Sequence, residues 1–298
     1  MKNRTYVFQN KRIGKLFLYP TLIILLALTL FPFVFSIALT FGKVNLTDKF
    51  SIQYAGIDNW KRLFLDERFW NALKNTIFIV VLAIPLQYLI GLLLVLSLNL
   101  DIKGKPFFRV VFLIPMMLTP IAVGYMWRML FDLARGPVNN LLSLIKIEPI
   151  GWLTTTNIVK LSIIVTDVWH WTPLVFLVLF AGIQSIPQEM TEAAQVDGAS
   201  GWQLFRFVLF PLLLPVSLAV VLLRTIELFK VIDEIYIMSA GGPGLSSESI
   251  TLFGYNVGLR SFDLSYGSTI AFSLFITILI VAYVFFSATK SFQEITFE

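Results

Sequence analysis

Five ionisable side chains, Arg224, Glu227, Lys230, Asp233 and Glu234, fall within eleven residues at the end of an apolar stretch. Near the centre of a bilayer each would cost on the order of 2.5 to 3.5 kcal/mol even on lenient scales, so such residues are rarely kept without a task. On one continuous helix they project from a single half of its circumference, opposite Thr225, Leu228, Phe229, Ile232, Ile235 and Tyr236. That polar half must face protein or an aqueous cavity. Arg224 with Glu227, Glu227 with Lys230, and Lys230 with Glu234 are spaced for ion pairs. Asp233 has no helical partner of its own and is the acid better placed to meet a solute.

A second group, Thr166, Asp167, Trp169, His170, Trp171 and Thr172, precedes Pro173, which removes a backbone hydrogen bond and can kink a helix. Indole faces stack on the C–H faces of sugar rings, while acids and hydroxyls bond the OH groups. The same residues also read as interfacial anchors and as a packing pair between His170 and Asp167. Asp167, Trp169, Trp171, Asp233, Tyr236, Tyr255 and Asn256 are thus the candidates for a solute path, and Arg224, Glu227 and Lys230 for structural ion pairs.

The third group lies in 184–206, which is poor in apolar residues and punctuated for two short helices. Ser185 with Gln188 is spaced as a capping box, Pro187 suits a first turn, and Gly198 can take the left-handed conformation that ends a helix. Ser200 with Gln203 opens a second box. A helix over about Pro187–Asp197 places Glu189, Ala193 and Asp197 in one row, beside Met190 and Ala194. Its acids exclude a lipid-facing position, so it lies in water or docks into a partner's groove.

Composition sets the elements that must hold these groups. The 298 residues are 57% hydrophobic and 14% charged, with a mean hydropathy of +0.81, well away from the soluble norm of about 25% charged. Zero cysteines and one histidine exclude a disulfide scaffold, a thiol nucleophile and the usual metal sites, so no metal site is expected. The net charge of +5 has no basic domain behind it, which discards nucleic-acid binding. Six apolar segments are long enough to cross a bilayer: Leu16–Phe41, Thr76–Leu98, Phe107–Phe131, Leu161–Ile183, Phe207–Phe229 and Thr269–Thr289. None alternates with the period of a β-barrel strand. The first follows Lys2, Arg4, Lys11, Arg12 and Lys15 and is too long for a cleaved signal peptide. Inner and outer connections each carry nine Lys and Arg, so orientation rests on that basic tail and places both termini inside. The expected organisation is a tail 1–15, a six-span all-α membrane domain 16–290 with the inner loop 184–206, and a tail 291–298. Ser239–Gly244, with three glycines and a proline, must break the helix before it.

Glu192-Ala193-Ala194, Asp197-Gly198-Ala199, Phe205 and Val208-Leu209-Phe210-Pro211 with Pro215 resemble the cytoplasmic EAA motif of permease subunits in bacterial ABC importers, with Val208 and Phe210 as conservative departures. Trp169–Pro173, Ala181–Pro187 and Phe229–Gly244 resemble the carbohydrate-uptake branch, of the maltose and glycerol-phosphate permease type. The resemblance implies a type I importer fold in a bacterial or archaeal cytoplasmic membrane. It also implies a second similar permease, two ATPase subunits and an extracytoplasmic solute-binding protein. The helix carrying Glu189, Glu192, Ala193, Ala194, Asp197, Gly198 and Ala199 would be the coupling helix seated on an ATPase subunit. The chain has no G-x-x-x-x-G-K-[ST] loop, so it is expected to bind no cofactor itself, with ATP and Mg held by the ATPase subunits, and to be no enzyme. The expected cargo is a di- or oligosaccharide, with glycerol phosphate or a polyol-type solute as the alternative. An ion-coupled secondary transporter would use the same intramembrane charges, but needs no EAA helix and usually shows two matched halves, which are not seen here.

Overall fold

The computed structural model describes residues 3–45, 51–99 and 104–297, with side chains for 16–44, 51–98, 104 and 106–290. The side chains of the basic tail (Lys2, Arg4, Lys11, Arg12, Lys15), Lys103 of the inner connection and the tail 291–298 lie outside that set. The order of elements is α1 (Asn3–Thr40), a hairpin of β1 (Gly42–Asn45) and β2 (Ser51–Tyr54), α2 (Asp58–Leu65), α3 (Glu67–Asn99), α4 (Lys105–Leu113), α5 (Pro120–Leu130) and α6 (Pro137–Leu144). There follow α7 (Val159–Gln184), α8 (Gln188–Val196), α9 (Gly201–Leu204), α10 (Phe210–Leu228), α11 (Asp233–Met238), α12 (Ile250–Tyr255) and α13 (Leu264–Phe297). Among the described residues, five helices are long and apolar enough to cross a bilayer: Leu16–Thr40, Glu67–Leu98, Val159–Gln184, Gly201–Leu228 and Leu264–Lys290.

The remaining apolar segment, Phe107–Phe131, is not one helix. Its two halves, α4 and α5, are joined by a single 3-10 turn over Pro115–Met117, and Leu118 and Thr119 are extended, with ψ of 149° and 144°. Pro115 has no N–H to give, and Pro120 pushes the residue before it out of the helical region. Pro173 and Pro215, by contrast, sit inside continuous helices.

The chain divides into two compact units, 1–65 with 254–272, and 66–253 with 273–298. In the first, Asn59 Nδ2 donates to the carbonyls of Thr40 and Gly42 at 3.0 and 2.8 Å, tying α2 to the end of α1. Arg62 bonds Asp263 at 2.7 Å and lies 3.8 Å over the Tyr266 ring. In the second, α3, α7 and α10 pack around Leu92, Val95, Val175, Phe176, Leu179, Leu213 and Val220. Gly91 permits a close approach of α3 to α7: a Cβ there would lie 3.0 Å from Val175 Cγ1 and 3.2 Å from Phe176 N. The loop Ser239–Gly244 breaks the helix as expected, and protein groups bond its backbone at Gly242 and the segment that follows it. Ser247 Oγ bonds Gly242 O at 2.7 Å, Asn75 Nδ2 bonds Leu245 O and Glu248 O, and Arg68 grips the buried Glu248 by two bonds of 2.7 and 2.8 Å. Irregular backbone at membrane depth persists only with such partners.

Candidate functional site

The helix α8 stands where the EAA residues predict it. Pro187 is its N-cap residue and Asp197 its C-cap residue. Gly198 has φ +80°, with its N–H on Gln195 O at 3.0 Å and the N–H of Ala199 on Ala194 O at 2.9 Å, the paired bonds of a Schellman termination. Ser200 then caps α9 in a reciprocal box: Gln203 N donates to Ser200 Oγ at 3.3 Å and Ser200 N to Gln203 Oε1 at 2.7 Å. The first box is not formed. Ser185 belongs to the last turn of α7, where its hydroxyl donates to Gly182 O at 2.7 Å, and no side chain caps α8. Glu189, Glu192, Ala193, Asp197 and Gly198 are exposed, and Ala194 and Ala199 half-buried. Beside them Val196, Trp202 and Phe207 are 87%, 69% and 70% exposed, an apolar surface that an acidic helix in water would not carry without a partner. A π turn over Phe205–Leu209 joins α9 to α10, so α8 connects through short, hydrogen-bonded segments to two spans.

The charged residues divide differently from the single-helix reading. The helix α10 ends at Leu228, the chain turns through Phe229–Ile232, and α11 starts afresh at Asp233, so Lys230, Asp233 and Glu234 do not share a face with Arg224. Arg224, 2% exposed, donates from Nη2 to both oxygens of the equally buried Asp167 at 3.2 Å, from Nε to Gln87 Oε1 at 3.1 Å, and from Nη1 to Glu227 at 3.1 Å. Gln87 closes the set by donating to Asp167 Oδ2 at 2.5 Å. The Trp171 ring lies 4.9 Å from the guanidinium, a cation–π contact in a dry setting. Asp167, expected on the solute path, is therefore enclosed in this conformation and holds Arg224 instead. Lys230 is exposed and makes no ion pair with Glu227 or Glu234 among the described residues.

His170 pairs with Glu234, not with Asp167. Its Nδ1 lies 3.2 Å from Glu234 Oε1 and its Nε2 3.2 Å from Leu118 O. A carbonyl only accepts, so Nε2 is the donor to Leu118 O. This histidine thereby satisfies a carbonyl freed where the α4–α5 segment breaks. Arg128 likewise donates to Ile237 O at 3.0 Å at the end of α11. The helices α5 and α11 touch at Gly124, where a Cβ would come within 3.0 Å of Ile237 Cβ.

Trp169 stands apart from this network. It meets Trp127 edge-on at 5.8 Å between ring centres and lines an apolar pocket of about 600 Å³ with Val168, Pro173, Leu86 and Ile90. Asp233 is half-buried and Tyr236 37% exposed on α11. Tyr255 and Asn256 belong to the other compact unit.

Residues 67–292 match the family described as binding-protein-dependent transport system inner membrane component. The chain belongs to that family. This permease is 33% identical, over 89% of its length and 85% of the relative's, to a probable ABC transporter permease, y4oQ, of Sinorhizobium fredii. It is 32% identical, over 91% of its length and 92% of the relative's, to the trehalose/maltose transport system permease MalF of Thermococcus litoralis. Its fold is that of a chain of the bacterial alginate ABC transporter crystallised with an alginate pentasaccharide-bound periplasmic protein, with a TM-score of 0.83 over 96% of both chains at 22% identity. It is a multi-pass membrane protein of the type I importer permease fold. The permease residues that sequence spacing left unnoticed are Gln87, Arg128, Arg68 and Asn75. The isolated Gln87 amid an apolar run is the one signal that could have pointed to a polar contact there.

Proposed function

We propose that this chain is the membrane-spanning permease subunit of an ATP-driven importer of a sugar, a di- or oligosaccharide delivered by a solute-binding protein. It works beside a second, similar permease. The observation that carries this reading is α8: an exposed EAA helix ended by Gly198 at φ +80° and tied by bonded turns to α7 and α10. Such a helix moves as a body with its spans, so displacement of a docked ATPase subunit reaches the membrane. Relatives named for trehalose/maltose and lactose transport support a sugar as cargo. Two ATPase subunits hold ATP and Mg and do the hydrolysis; this chain binds no cofactor and is no enzyme. Both termini and α8 face the cytoplasm, and 43–75, 132–158 and 241–268 face outward. Trp171, Asp233 and Tyr236 line the solute path together with the exposed carboxylate of Glu227, while Asp167 positions Arg224.

The test is uptake of labelled maltose, trehalose and maltotriose into proteoliposomes holding the complete complex. Uptake that needs ATP, the ATPase subunits and the binding protein supports the reading. Uptake by this chain alone, driven by an ion gradient, overturns it.

A further inference from the structure

Where α3, α4, α7 and α8 converge, a pocket of about 630 Å³ is lined by Leu98, Arg109, Phe180, Gln184, Gln188 and Thr191, with Ile183, Ile186 and Leu209 completing its walls. The guanidinium of Arg109 stacks 4.1 Å over the Phe180 ring. Its Nε is buried without a hydrogen-bond partner, and among the described residues Arg109 forms no ion pair. Among the described residues no acid lines the pocket. With no counter-charge among the described residues, this half-buried cation is costly unless something anionic completes it.

With α8 on the cytoplasmic side, as proposed above, this pocket opens at the level of the inner headgroups. We infer that it seats the phosphate of an anionic phospholipid. Arg109 and the amide groups of Gln184 and Gln188 are the donors, and the half-buried Ile186, with the outer edges of the buried Leu98, Ile183 and Leu209, is the apolar side toward the glycerol and upper acyl carbons. A free anion would use the polar wall and leave the apolar one bare, which is why an amphiphile fits the lining better than dissolved phosphate. Basic pockets between helices at the cytoplasmic surface recognise lipid headgroups by this combination. Since Gln188 and Thr191 lie on α8 and Gln184 ends α7, the bound phosphate bridges the coupling helix to the span before it.

The experiment uses the assembled complex, washed in mild detergent and exchanged into nanodiscs of phosphatidylcholine with or without phosphatidylglycerol. Bound lipid is counted by native mass spectrometry for wild type, Arg109→Lys, Arg109→Gln and Gln184→Leu. Wild type and Arg109→Lys are expected to retain one phosphatidylglycerol per copy of this chain that resists washing and excess inorganic phosphate. Arg109→Gln loses it and Gln184→Leu holds it more weakly, which keeps the test alive should Arg109→Gln fail to assemble. Equal retention in all four forms overturns the inference. So does displacement by inorganic phosphate, which would make the ligand a soluble anion, or loss of the ATPase subunits from Arg109→Gln with its lipid retained, which would assign Arg109 to a protein contact. Absence of ATPase subunits from the wild-type complex would instead count against the permease reading, since lipid retention is read independently.

Discussion

Replacing Arg224 by Met separates a buried charge cluster from a set of ordinary membrane hydrogen bonds. The substitution keeps the aliphatic bulk but strands the carboxylate of Asp167, which is 2% exposed and, among the described residues, otherwise bonded through Gln87 alone, and frees Gln87 Oε1. Breaking one side of a buried pair costs on the order of 3 to 5 kcal/mol. Neutral interhelical hydrogen bonds in membranes average only about 0.6 kcal/mol. At about 2 °C per kcal/mol for a chain of this size, the stranded charge lowers the midpoint of thermal aggregation by roughly 6 to 10 °C, against about 1 to 2 °C for neutral bonds. Removing the acid as well, in Arg224→Met with Asp167→Leu, exchanges the stranded charge for a neutral Gln87 amide whose acceptor is unmet and whose Nε2 keeps only the Asp167 carbonyl at 3.3 Å, a penalty of about 1 to 3 kcal/mol, so the double variant should recover several degrees. The assay is fluorescence-detected size exclusion after heating in detergent. A double variant no more stable than Arg224→Met would refute the claim that these charges hold each other.

Four further outcomes follow from the geometry. Gly198→Asp meets no atom within 4 Å, so its cost is the backbone strain of about 1 kcal/mol at φ +80°; the spans should insert normally while ATPase co-purification or coupled uptake falls. Asp233→Asn should lower uptake moderately and Asp233→Leu abolish it at normal assembly, measured as uptake per assembled complex; unchanged uptake in Asp233→Leu removes that residue from the path. Trp169→Phe should be tolerated, and Trp169→Ala should open space beside Trp127 and slow uptake without altering basal ATP hydrolysis, read in the same proteoliposomes. Gly124→Leu should force α5 from α11, where a Cβ alone already lies 3.0 Å from Ile237 Cβ and a leucine adds three more carbons, and reduce the yield of monodisperse protein by at least severalfold, whereas Gly201→Leu, at a glycine with open space around it, should not.

What the sequence disclosed was what is local. Gly198 and the Ser200–Gln203 box need only neighbours within a turn, and both formed. Ser185 failed as a cap because the preceding span runs on to Gln184 and claims its hydroxyl. The Arg224–Glu227 bond was legible at three residues' spacing. The stronger partners Asp167 and Gln87 lie 57 and 137 positions away, and no periodicity in one helix reports on another. Pro115 and Pro120 could have marked the interrupted third segment, but a hydropathy window averages over both. The single face drawn from Arg224 to Glu234 failed for a related reason: Phe229–Ile232 contains no glycine or proline, and the break there is made by tertiary contacts such as Ser249 Oγ on Val231 O at 2.7 Å.

The central claim, that α8 is where ATP hydrolysis enters this subunit, is open to one direct measurement, which the absence of cysteine makes clean. Ala193→Cys, on the exposed face of α8, is labelled with a benzophenone maleimide in the assembled complex and irradiated, with Thr155→Cys in the 132–158 loop, proposed above to face outward, as the comparison. The account predicts a cross-linked product with the mass of this chain plus one ATPase subunit from Ala193→Cys and none from Thr155→Cys. The reverse pattern, or no ATPase adduct from either position in a complex that retains its ATPase subunits, would contradict it.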